Sequence, residues 1–188
     1  MESEIIKKLG PLAALAGTWE GIKGLDVAPS DDRKTENTKF REVMAFVPMG
    51  PVNNHEQELY GLRYATTAFR LGEVDAFHEE LGYWLWDAKN EQVMRCFMVP
   101  RGVTVIAGGT VKAKAKSFKL SAQVGSETYG ICSNKFLDKE FKTVEYKLSI
   151  TVHSEKSFSY KEDTVLKIKG QKKLFHHTDK NTLSRRVN

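Results

Sequence analysis

The chain has 188 residues, enough for one domain with a sizeable core or an enclosed cavity. Lys and Arg number 29 against 24 Asp and Glu, and the formal +5 is spread along the chain, which speaks against a nucleic-acid-binding arm. No apolar run approaches the ~20 residues that span a bilayer as a helix.

Residues 1–16, MESEIIKKLGPLAALA, set Ile5, Ile6, Leu9, Leu12 and Leu15 at helical spacing broken by Gly10-Pro11, which predicts a short helical lead-in. LAGTWEG follows, with Trp19 between Gly17 and Gly21. The polar, turn-rich stretch 26–39 predicts a loop insertion. Beyond it the period changes to two. KFREVMAFV, QELYGLRYATTAF, LGYWLW, EQVMRCFMV and VTVIAGG read as strands. TVKAKAK alternates too, with Val111, Ala113 and Ala115 opposite Lys112, Lys114 and Lys116. Phe118 and Leu120 then fall on the lysine face, so a turn or bulge is expected near Ser117. Residues 125–141, GSETYGICSNKFLDKEF, predict a second loop insertion. TVEYKLSITV is the strictest strand, with Val144, Tyr146, Leu148, Ile150 and Val152 on one face. YKEDTVLKI and NTLSRRV complete the set.

Many short antiparallel strands with almost no helix leave a sandwich or a closed barrel. The expected fold is all-β, a single antiparallel β-barrel of about ten strands over 1–188, a size with room for one ligand. Cys96 and Cys132 form no CxxC pair and no signal peptide precedes them, so a reduced, cytoplasmic protein is expected. No Gly-x-Ser-x-Gly, Walker loop or Gly-x-Gly-x-x-Gly occurs. His55 and His153 read as surface residues, and Tyr60, Tyr64, Tyr83, Trp84 and Trp86 as barrel wall. The adjacent pair Glu79-Glu80 points to opposite faces if it lies on a strand.

Three motifs carry a resemblance. Gly17-Thr18-Trp19 opens an all-β chain that ends in a basic strand, as in lipocalin-like barrels, where the indole plugs the closed end and an Arg from the last strand covers it; Arg185 or Arg186 is placed to do so. His78-Glu79-Glu80-Leu81-Gly82-Tyr83 and the closing LFHHTDKNTLSRRV complete a pattern that resembles the nitrobindin family, heme-binding relatives of the fatty-acid-binding-protein barrels. Lys23 stands where that family has its third early glycine, with Gly24 one place late. Leu85 replaces an arginine, and polar residues Thr178 to Asn181 follow the terminal histidines.

The resemblance implies heme b in the barrel mouth, with His177 as the iron ligand and His78 shaping the other side of the pocket. His176 and His177 are strand neighbours, so only one can face inward; Asp179 is a candidate partner for the ligating ring. An apolar lumen would limit water, and nitric oxide binding or peroxynitrite isomerisation at ferric heme is implied by the resemblance alone. A second reading is a non-heme carrier of a fatty acid or other small apolar ligand, with Arg63 or Arg70 meeting a carboxylate. A third is a filled barrel whose surface serves partners. The sequence is compatible with a homodimer.

Overall fold

The computed structural model describes residues 2–186. The lead-in is α1 (Glu2–Lys8) and a 3₁₀ turn (Gly10–Leu15). The strands are β1 (Gly17–Pro29), β2 (Thr35–Asn54), β3 (Gln57–Arg70), β4 (Ala76–Asp87), β5 (Gln92–Val99), β6 (Val103–Thr110), β7 (Ser117–Val124), β8 (Gly130–Ser133), β9 (Phe141–Ser154), β10 (Ser157–Ile168) and β11 (Phe175–Arg185), with α2 (Lys135–Glu140) before β9. They close into one barrel in the order β1-β11-β10-β9-β7-β8-β6-β5-β4-β3-β2. Sequential hairpins account for this order except at β8, which slips between β6 and β7, antiparallel to the first and parallel to the second.

The structure changes three expectations. Residues 26–39 are mostly strand: Asp26 pairs with Thr38, Val27 with Asn37 and Pro29 with Thr35, leaving only 30–34 as the turn. Toward the rim the inward places of this hairpin are held by polar residues, Asp26 and its partner Thr38 among them, so the apolar alternation that marks a strand is missing. Residues 111–116 are a turn, closed by Ala115 N–H donating to Lys112 O (2.9 Å), and the strand begins at Ser117. Residues 125–141 hold β8 and α2 as well as turns, and β8 is the strand beyond the expected ten. Val187, the end of the last expected strand, lies outside the described residues.

Trp19 closes one end of the barrel. It is fully buried with Leu9, Leu12 and Leu15 of the lead-in. Its Nε1–H donates to Leu15 O (2.7 Å), and its ring meets Phe158 edge-on at 4.8 Å. Arg185, not Arg186, covers the indole at 4.2 Å, and its guanidinium also donates to Ala14 O (3.1 Å) and Ala16 O. Gly17 has φ of +118°, and Arg185 fills the space a Cβ would take. Arg186 lies outside, 3.6 Å from Glu20.

The late glycine has a structural cause. The β1–β2 register slips between Gly21 and Gly24, leaving Ile22 and Lys23 both exposed. The bulge holds one extra residue, so Gly24 takes the inward place. A Cβ there would stand 2.5 Å from the Phe40 ring.

Candidate functional site at the barrel mouth

Period-two alternation decides which side chains enter the lumen. On β11, Leu183 and Asn181 are buried and in phase with Asp179 and His177. On β4, Trp86, Trp84 and Glu80 are buried and in phase with His78. Both imidazoles therefore enter at the end opposite Trp19, on strands separated by β1, β2 and β3. Their side chains are 34% and 37% exposed for His177 and His78, so each reaches both lumen and solvent. His176 points outward and pairs with Asp163 of β10 (2.9 Å). The polar segment Thr178 to Asn181 is strand, not a polar turn.

His177 is held by Asp26, with Nε2–H donating to Oδ1 at 2.8 Å. Asp179, the partner expected from sequence, has no hydrogen bond to it. Two residues along a strand separate Asp179 from His177 by ~7 Å on the same face, which aims it at a deeper layer. Burial, and then the charges of Glu162, Glu42, Glu80 and Asp26, push the Asp179 pKa well above the usual carboxylate range.

Below the histidines the lumen is charged, which corrects the expectation of an apolar cavity. Arg95 of β5 donates to Glu162 (2.6 Å), Tyr64 (2.9 Å), Glu80 and Tyr146. Tyr64 donates to Glu80 (2.7 Å) and Tyr146 to Glu162 (2.6 Å). Burial opposes the charge on Glu80, but Arg95 and the His78 and Tyr64 hydrogen bonds outweigh it and hold its pKa at about 2. His78 Nε2 lies 3.2 Å from Glu80. Burial disfavours the imidazolium there, yet Glu80 more than offsets that and raises the His78 pKa. Alongside, Glu42 accepts from Asn181 (2.7 Å) and Tyr160 (3.0 Å), and burial lifts its pKa to about 7 against those bonds. Beneath this layer the barrel is apolar around Phe46, Trp84, Phe118, Leu62 and Phe158.

A profile of the THAP4-like, heme-binding beta-barrel domain matches residues 8–185. The chain belongs to that family. Among solved structures, Rv2717c from M. tuberculosis superposes with a TM-score of 0.66 at 20% identity, covering 97% of this chain and 98% of that one, and so shares the fold. A beta-barrel-like protein of domain DUF1849 from Brucella abortus aligns at 7% identity and a TM-score of 0.26 over 90% of this chain and 97% of its own, too weakly to bear on the fold. No curated protein sequence matches significantly.

As a member of the THAP4-like family, the chain can be tested for its fit to heme. Among the described residues no three His, Cys, Asp or Glu side chains converge on a bare metal ion. The donor set does fit an iron that brings its own four nitrogens: His177 supplies one imidazole facing the lumen. Aromatic surface is available beside His78, where Phe40 and Phe77 meet edge-on at 6.0 Å. Arg70 stacks over Phe77 at 5.0 Å on the rim, and its guanidinium could pair with a carboxylate of the group.

Sequence reasoning missed Arg95, Glu42, Glu162 and Asp26. For the first three the signal was present. Arg95 stands in phase with Val93 and Phe97, Glu42 with Phe40 and Met44, and Glu162 with Phe158 and Tyr160. A charge on the apolar phase of a strand must be buried and must find a partner. Asp26 lay in the segment read as a loop. Arg63 faces outward and is exposed, so it cannot meet a ligand in the lumen.

Proposed function

We propose that the barrel holds heme b in its mouth through His177, with His78 facing the cofactor from the other side. The observation that carries this reading is the phase of the two strands, which turns both imidazoles inward at one end. Family membership over residues 8–185 supports the cofactor's identity. Bound ferric heme supplies an open iron position that can take nitric oxide or peroxynitrite. The chain's part is to bind and orient. His177 offers the ligating nitrogen, and the Phe40–Phe77 pair gives the ring edge an apolar wall. His78, whose pKa Glu80 raises against the effect of burial, can hydrogen-bond an anionic oxygen in the pocket. Reaction of peroxynitrite to nitrate is the activity this arrangement suits.

A fatty-acid carrier suits the lumen poorly. Glu42, Glu80, Glu162 and Asp179 line it, and the one arginine among them, Arg95, is already paired with two carboxylates. A ligand carboxylate there would lie against the charged Glu80. The free thiols Cys96 and Cys132 suit a reduced cytoplasm; no helix among the described residues is long and apolar enough to cross a membrane.

Titration with hemin, followed by the Soret band, tests the assignment. The sharp band should be lost in His177→Ala and kept in His176→Ala. In His78→Ala the band should persist, while decay of peroxynitrite is no longer accelerated. A Soret band unchanged in His177→Ala overturns the reading.

A further inference from the structure

The mouth is covered along one side. β1 runs from Trp19 at the closed end to Pro29, so the turn 30–34 stands on the rim of the mouth. The β10–β11 loop, 169–174, and the junction of α2 with β9 stand there too. Period two turns Ile168, the last residue of β10, toward the lumen in phase with Leu166 and Tyr160, and its register partner Phe141 with it. Side chains at an open rim meet water, yet Ile168 is 1% exposed and Leu137 of α2 is 6% exposed. This part of the rim is closed over.

Arg33 ties the cover together. Its guanidinium donates to Lys169 O (2.9 Å) and to Glu140 (2.9 Å), and it stacks over the Phe141 ring at 4.9 Å. Gln171 donates its side-chain N–H back to Arg33 O (2.6 Å), and Lys169 Nζ donates to the other oxygen of Glu140 (3.0 Å). One residue thus joins the β1–β2 turn, the β10–β11 loop and the start of β9. Along the wall β1 and β9 are separated by β11 and β10, three strand spacings or ~14 Å. An arginine side chain does not extend that far, so the turn itself leans across the mouth toward β9.

The backbone points the same way. Arg33 has φ of +63°, a left-handed conformation that a Cβ disfavours and glycine takes freely. Its N–H closes the turn by donating to Ser30 O (2.8 Å), which needs no particular side chain. Strain of this kind persists where surrounding contacts over-determine it, and here those contacts go to Lys169 and Glu140, outside its own hairpin. They are also bonds that can open. The Arg33, Glu140 and Lys169 side chains are 37%, 15% and 56% exposed, so water replaces each partner when a bond breaks. β11 leaves the tied loop at Phe175 and turns His177 into the mouth two residues later. We propose that Arg33 is the latch of a lid over the mouth, and that release of the lid admits the guest to His177. The identity of the guest rests on heme binding at His177; the latch does not.

Two measurements on the full chain test this. Stopped-flow mixing with hemin gives the association rate from the Soret band, and transfer of bound heme to excess apomyoglobin gives the dissociation rate. Arg33→Gly keeps the left-handed turn and removes the latch. It should raise both rates about fivefold and leave their ratio unchanged, because a lid slows entry and exit alike. Amide hydrogen exchange of the chain without heme reads the latch directly. The N–H groups of Lys169 and Gln171 donate to Glu140 O and Ile168 O, and both should exchange faster in Arg33→Gly. Wild-type hemin rates in Arg33→Gly overturn the proposal. So does a changed ratio of the two rates, which would set Arg33 against the guest instead of over the entrance. If wild type gives no Soret band, heme binding alone fails; unchanged exchange at Lys169 and Gln171 in Arg33→Gly then overturns the latch as well.

Discussion

Asp26 of β1 and His177 of β11 meet across one strand pair, with the carboxylate oxygen 2.8 Å from Nε2 of the ring. An iron taking that nitrogen would have to displace the carboxylate. Asp26 and iron compete for it. Breaking a partly exposed hydrogen bond of this kind costs about 1 kcal/mol. Asp26→Ala should therefore tighten hemin binding about fivefold, read from a Soret titration at pH 7. Weaker binding in that variant would mean that Asp26 orients the ring for the metal instead.

Arg95 holds the charged layer together. Removing it leaves Glu80 and Glu162 buried without their counter-ion. Breaking a buried pair from one side typically costs about 3–5 kcal/mol, so Arg95→Met should lower the unfolding free energy measured in urea by that amount. Adding Glu80→Gln and Glu162→Gln to Arg95→Met should recover much of the loss, since no charge is then stranded.

Glu42 and Glu80 give stability opposite dependences on pH. Glu42 titrates at about 7 in the folded chain against an ordinary 4.5. Between those values the folded protein keeps a proton that the unfolded chain has released. Stability therefore falls as pH rises through that window, by roughly 3 kcal/mol. Glu80, at about 2 against 4.5, stabilises the fold above 4.5, and that contribution is lost as pH falls toward 2. Glu42→Gln should raise the melting temperature at pH 7 to 8 and flatten the curve between 4.5 and 7, measured by thermal denaturation across pH.

The two arginines at the chain's end should behave differently. Arg185 stacks on Trp19 and donates to carbonyls of the lead-in, ordering the plug. Arg185→Ala should cost about 2 kcal/mol by chemical denaturation, combining cation–π and charge-assisted bonds. Among the described residues the Arg186 side chain pairs with half-buried Glu20, and Arg186→Ala should change stability by less than about 0.5 kcal/mol.

Local pattern made much of the barrel legible. Alternation in QELYGLRYATTAF and TVEYKLSITV depends only on each strand having a dry face and a wet one, and a sequence records that residue by residue. It failed at 26–39, where polar residues such as Asp26 and Thr38 hold the inward places, and at β8, which is four residues long. The inward direction of one terminal histidine also followed from strand periodicity, once β11 was known to reach Phe175.

The chain alone thus determined an all-β barrel, because strand alternation depends on neighbours along the chain, while the Trp19 plug and an inward-facing histidine were implied by the resemblance. Only the tertiary structure decided what those groups meet. Asp26 and His177 are far apart in sequence, as are Arg95 and Glu162, and closure of the sheet brings each pair together. Partners across a barrel are set by register and by which strands become neighbours, and no local period encodes either.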